Sequence, residues 1–311
     1  MWPTASIAET PPRAVTLVVP FSAGGAADLA ARNFAQHAPR HMATASSAIV
    51  VDNRTGASGA VGTQFVARAQ PDGHTLLLAR VGSSAILPAT DARTPYSVDD
   101  FTWIGLLEEN PYVVCVRADA PWRDLDALLA AIRDKPGEMN FATSGPATVL
   151  DLGIRHMLSS AGLPIDAAQA VPFRGGGDAL LALLGSQVQF VGNNLGDMIG
   201  AIRQRQVRAL FVATGARLPE LPGVPTATEA RLPEMSAISG WSALAAPARL
   251  SEESRAFWGR VLLAVGDDPG WLRTTRALGS VPRVTGGEEA RDYVVAQIAL
   301  YRELARRLNL G

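Results

Sequence analysis

Apolar residues along this 311-residue chain fall into short continuous runs bounded by turn residues, separated by stretches with helical spacing. Val15 to Val19 is β-branched and apolar, and it stops at Pro20, Phe21 and Ser22, where the backbone loses a donor and must turn. Ala26 onward reads as helix. Gly24 and Gly25 therefore sit where a strand end meets a helix N-terminus, with free backbone N–H groups and room for close approach. That geometry suits an anion, although a tight turn that binds nothing explains this stretch alone more simply. Ser47 to Val51 predicts a second strand and Val61 to Ala69 a second helix; the Pro71-Asp72-Gly73 turn then introduces a third strand in "HTLLLA". The β, α, β, α, β alternation predicts a parallel, doubly wound sheet whose ligand crevice lies at the C-terminal ends of its strands. All three strands finish there in Gly, Ser or Asn, in "FSAGG", "DNRTGASG" and "RVGSS".

From Phe101 the pattern changes. "FTWIGLLEENPYVVCVRAD" predicts two consecutive strands broken at Asn110-Pro111, as expected of a segment passing from one domain into another. Alternation then resumes: helix Asp124 to Arg133, strand Met139 to Thr143, helix from Thr148, strand Ala168 to Val171, helix Asp178 to Leu184, strand Val188 to Val191, helix Leu195 to Arg203, strand Val207 to Ala213. A proline-rich connector follows, "SAISGWSALAAP" reads as a strand crossing back, and Ser251 to Leu308 is mostly amphipathic helix broken at Gly286 and Gly287. The expected architecture is an α/β clamshell. Residues 1–110 with 245–311 form one domain, 111–244 form an inserted second, and strands Tyr112 to Val116 and Gly240 to Ala246 form the hinge.

Composition narrows the function. With 48% hydrophobic and 18% charged residues the chain folds, and its net charge of −1 is too evenly scattered to build the positive field that nucleic acid or an anionic membrane requires. Lys135 is the single lysine, which confines Schiff-base chemistry to that position. Cys115 is the single cysteine, so neither an intrachain disulfide nor a thiolate cluster is expected, and the sequence suggests no metal or cofactor. The opening "MWPTASIAETPPRAV" has no basic segment followed by an apolar run; the expectation is either a cytosolic protein or an exported one whose leader has been removed, and the Pro-rich "ETPPRA" fits a mature arm.

Individual side chains carry modest signals. Asp28, in the first turn of its helix, reads as a cap or loop brace. Asn53 and Arg54 are balanced between bracing the second loop and facing a cleft. His37 and His41 stand at i, i+4, but without accompanying acidic or thiol ligands they read as a solvated helix face. Trp103, Trp122, Trp241, Trp258 and Trp271 read as core or hinge packing. Ser22, Ser83 and Ser144 have no histidine close in sequence, and no nucleophile elbow or dinucleotide fingerprint occurs, so nothing positive supports an enzyme.

Taken in order, "VPFSAGGAADLAAR", "VVDNRTGASGAVGTQFVARAQPDGHTLLLA", "DFTWIGLL", "KPGEMNFATSG" and "RLPELPGVPT" resemble the substrate receptors of tripartite tricarboxylate transporters, the Bug or TctC type, from about Val15 to the C-terminus. The resemblance implies a periplasmic, monomeric solute-binding protein with a two-domain type II (Venus-flytrap) fold and two crossover strands. Such a protein captures a small carboxylate for membrane transporter subunits and needs no cofactor or metal. A carboxylate sensor feeding a two-component system is the alternative, and a small-molecule enzyme a more distant one.

The resemblance assigns ligand contacts to Phe21, Ser22, Ala23, Gly24 and Gly25; to Gly82, Ser83 and Ser84 after the third strand; to Thr143, Ser144, Gly145 and Thr148; to Phe173, Arg174 and Gly175; and to Asn193 and Asn194 in "NNLGD". The chain departs from the family's usual Tyr-Lys-Gly at Phe173 to Gly175 and from its usual Asp at Asn193, and these departures bear on the ligand rather than the fold. Backbone N–H groups and hydroxyls suffice to hold a carboxylate, each charge-assisted bond contributing about 1.5 to 3 kcal/mol. Arg80, one step before the cleft loop, is a further candidate to grip a distal carboxylate, with Arg174 opposite; a brace to Asp52 or Glu108 is its plainer role.

Overall fold

The computed structural model describes residues 14–42, 48–146 and 148–308. The Pro-rich lead-in and Ser47, the expected start of the second strand, lie outside the described residues. The first β, α alternation is present: β1 (Val15–Val19), α1 (Ala26–His37), β2 (Ile49–Asn53), α2 (Ala60–Ala67) and β3 (Thr75–Arg80). A π-turn at Gly82–Ile86 and a short α3 (Leu87–Thr90) follow. β1 pairs in parallel with β2 and β3.

The expected break at Asn110-Pro111 is absent. β4 (Phe101–Arg117) is one uninterrupted 17-residue strand. Proline is accommodated because β4 changes partners there: up to Pro111 it pairs with β9 (Ser239–Pro247), and from Tyr112 onward with β7 (Phe190–Asn194) and β8 (Val207–Val212). The second group of elements is α4 (Leu125–Asp134), β5 (Asn140–Thr143), α5 (Val149–Ser160), β6 (Gln169–Pro172), α6 (Gly176–Leu184), β7, α7 (Leu195–Arg203) and β8. Hydrogen bonding links all ten strands into one curled sheet, but among the described residues only β4 joins the two groups.

The second expected crossing strand needs correction. Gly240 to Ala246 lies within β9, which is antiparallel to both β3 and the first half of β4 and never leaves the first group. Its uncharged run, Ser-Gly-Trp-Ser-Ala-Leu-Ala-Ala, small except for the buried Trp241 and Leu244, suits a central strand covered on both faces. The chain returns instead through the irregular segment between β8 and β9. α8 (Glu252–Asp267), α9 (Pro269–Ala277), β10 (Val281–Pro282) and α10 (Gly287–Arg307) complete the first group.

One core cluster, with Phe34, Trp258, Leu262 and Trp271, lies where α1, α8 and α9 cover one face of the first sheet. The other takes in the opposite face with Trp103 and Trp241 and runs on into the second group around Tyr112, Phe141 and Phe190. At the junction Tyr112 is fully buried against glycines: a Cβ at Gly192 or Gly153 would stand 1.7 or 2.3 Å from its ring and hydroxyl, so both positions admit only glycine.

Candidate functional site

The strand register builds the centre of the site. Ser242 of β9 stands opposite Arg80 of β3 on one side and Glu108 of β4 on the other, which sets the three side chains in a row across the sheet. Arg80 Nη1 donates to Ser242 Oγ at 2.5 Å, Ser242 donates to Glu108 Oε1 at 3.0 Å, and Asn110 Nδ2 donates to the same oxygen at 2.8 Å. Arg80 and Glu108 are both about 3% exposed and lie 3.7 Å apart. Burial pulls the Arg80 guanidinium below its ordinary value and pushes the Glu108 carboxyl up, each opposed by the other's charge.

Arg80 also lines a cavity of about 40 Å³ enclosed between the two groups of elements. Phe21, Ser22, Gly25, Ala26, Val81 and Gly82 line it on the first side, and Ser144, Thr148, Gly176, Asn194 and Asp197 on the second. That volume admits about three water-sized groups. It adjoins, through shared Phe21 and Ser144, an outer cavity of about 410 Å³ lined by residues 55–59, Phe173 and the exposed Arg174.

Two contacts close the cleft. Ala26 N donates to Asp197 Oδ1 at 2.6 Å, and Ser58 Oγ donates to the Pro146 carbonyl at 2.7 Å. Gly25 and Gly177 meet backbone to backbone, where a Cβ on Gly25 would stand 3.1 Å from Asp197 Oδ1. Asp197 is half-buried, walled by protein yet open to the cavity. Burial pushes its pKa up, against the Ala26 N–H, the Arg80 charge and Asn194.

The expected residues divide accordingly. Phe21, Ser22, Gly25, Arg80, Gly82, Ser144, Thr148 and Asn194 meet at the inner cavity, while Gly145, Phe173 and Arg174 line the outer one. Ala23 and Gly24 are exposed and line neither; Gly24 N donates to Asp28 Oδ2 at 2.9 Å, and the left-handed φ of +83° at Gly24 turns its Cα toward open space. A side chain at Gly24 would therefore point into open space. The Thr143 and Thr148 hydroxyls both donate to the Gly145 carbonyl at 2.8 Å and so brace the turn. Asn193 is wholly buried and bonds Gly176 O and Asn194 N. Gly175 caps α6 beside Ser22. Ser83 and Ser84 are buried behind the lining, their hydroxyls unpartnered.

Asn53 braces the first loop by donating to Phe21 O at 3.0 Å, and Arg54 pairs with Asp52 while stacking on Phe65. Asp28, as expected, braces its loop. The solvated-face reading of His37 and His41 is overturned: His37 is buried, His41 lies in the turn after α1, and both converge on Asp268 Oδ2, at 3.3 and 3.4 Å. Asp197, the site residue sequence reasoning undervalued, stood in the quoted "NNLGD". Its place in the first turn of α7 hid it as an ordinary helix-start carboxylate.

A mixed sheet with helices on both faces, and a cavity enclosed between two halves that share one long strand, define a solute-binding protein of the periplasmic type. Solved structures agree: "periplasmic binding protein BugD" superposes with a TM-score of 0.91 at 27% identity, covering 97% of this chain and 99% of that one. MatC from Rhodopseudomonas palustris with bound malate gives 0.87 at 28% (95% and 99%), and an R. palustris protein with adipate 0.89 at 26% (97% and 99%). The family model for the tripartite tricarboxylate transporter family receptor matches residues 30–254, and the chain belongs to that family. These are binding proteins, not enzymes.

Proposed function

We propose that the protein captures a small organic carboxylate in the cleft, its carboxylate group in the inner cavity and the rest extending toward the outer one, and presents it to the membrane subunits of a tripartite transporter, acting outside the cytoplasm. The observation that carries this reading is Arg80, a buried guanidinium on the wall of an enclosed cavity. Arg80 engages Ser242 and Glu108 through Nη1, and this reading assigns its other N–H groups, supplemented by Ser22 and Ser144, to the ligand carboxylate. Three or four charge-assisted bonds of about 1.5 to 3 kcal/mol each reach the roughly 8 kcal/mol of micromolar binding. Malate and adipate in structural neighbours support a carboxylate as the ligand class.

The halves that close on the ligand are the first group of elements, through β4 as far as Pro111 and again from β9 onward, and the second group between them, and the hinge is β4 where it exchanges partners after Pro111. A thermal-shift screen of mono-, di- and tricarboxylates, amino acids and aromatic acids tests the reading. A true ligand at a hundredfold excess over its Kd adds about 2.7 kcal/mol to stability. A screen in which only sugars or amines raise the melting temperature refutes it.

A further inference from the structure

We propose that Asp197 makes this site select carboxylates that also carry an ammonium group, that is, amino acids, over their deaminated counterparts. The inference rests on the binding role given to the cavity above and deepens it.

Three observations lead there. First, the α1 N-terminus is already supplied with anions by the chain itself: Gly24 N is bonded to Asp28 and Ala26 N to Asp197. A ligand carboxylate entering at that point meets a carboxylate in place of free donors. Second, the charges on the cavity wall are unequal. Arg80 is matched by Glu108 through Ser242, whereas Asp197 has the Ala26 N–H, the Asn194 side chain and the shared field of Arg80 but no ion pair of its own among the described residues. A plain dianion adds two negative charges beside that surplus carboxylate; a zwitterion brings a cation to it. Third, Asp197 keeps exposed surface on the cavity that Arg80 also lines, so one cavity presents a cation and a carboxylate together. An ammonium, with three N–H groups and no acceptor, suits that carboxylate. Arg80 takes the ligand carboxylate, and Asp197 takes its ammonium.

The test is calorimetric titration of the whole chain with matched pairs: glycine and acetate, alanine and propionate, aspartate and succinate, glutamate and glutarate. The expected result is an amino member at least thirtyfold tighter than its partner in whichever pair binds. In Asp197→Asn, which keeps an oxygen for Ala26 N, that ratio collapses to within about threefold. Succinate or any other deaminated member binding as tightly as its amino partner overturns the proposal, as does an undiminished preference in Asp197→Asn. Should Asp197→Asn fail to fold, the wild-type ratios decide. Failure of all eight probes also overturns it; if other carboxylates in the thermal-shift screen still bind, the carboxylate-receptor reading survives, and if none does, both fall.

Discussion

Replacing Arg80 with methionine tests whether the row across β3, β9 and β4 is an interdependent unit. The substitution removes the charge facing Glu108, which is 3% exposed and is left with the neutral donors of Ser242, Asn110 and Ser280. Breaking one partner of a buried pair costs about 3 to 5 kcal/mol, because the other charge is left uncompensated. The double variant Arg80→Met, Glu108→Gln removes that penalty and should recover more than half of the loss. Denaturant unfolding followed by tryptophan fluorescence measures both. The pH dependence has a definite sign. Burial already raises the folded-state pKa of Glu108 above its unfolded value, and losing Arg80 raises it further. A carboxyl with a raised pKa binds its proton more readily when folded, so the deficit of Arg80→Met is greatest near neutrality and shrinks as pH falls toward that raised value. A single variant losing under 1 kcal/mol, or a double variant losing the sum of the two single losses, refutes the reasoning.

Gly25→Val should place a side chain between Asp197 and Gly177 and wedge the halves apart, so ligand affinity falls at least tenfold while unliganded stability changes little; titration and small-angle scattering check this. Asp268→Ala should cost about 1 to 2 kcal/mol at pH 7, the range for a lost helix cap, since Asp268 accepts from Gly270 N and Trp271 N at the start of α9. Burial raises the Asp268 pKa, but bonds from His37, Trp271, Gly270 and His41 outweigh it and hold the carboxyl well below its ordinary value. Its stabilisation is therefore complete above the unfolded pKa and fades as pH falls through the folded one, so wild type and variant should converge in strong acid.

The alternation of strands and helices was legible because each element carries its own period and its own turn residues. Legibility failed where partners are remote. Nothing local in "SGWSALAAP" says that it inserts between β3 and β4, and nothing near His37 points to Asp268. At Asn110-Pro111 the local rule that proline ends a strand lost to a tertiary arrangement in which β4 trades one set of neighbours for another. The site was legible as a set of loops but not as contacts. Which loop atoms face the cavity depends on where Asp28, Thr148 and Asn193 spend their hydrogen bonds, and one-dimensional spacing does not encode that. Arg80 was recognisable from its charge next to a cleft loop, and Glu108 was one of the two braces the sequence offered; the register chose it over Asp52 and set Ser242 between them.

The antiparallel pairing of β3 with β9 joins residues as far apart as Arg80 and Ser242, 162 positions along the chain. Translation at roughly 5 to 20 residues per second puts on the order of ten to thirty seconds between the emergence of the two strands. During that interval the edge of β3 has open backbone groups and Arg80 lacks the hydroxyl that links it to Glu108. The sheet begun by the first strands is thus finished by almost the last one made. A nascent chain halted before residue 239 presents an unfilled sheet edge, the kind of surface that chaperones hold and aggregates extend.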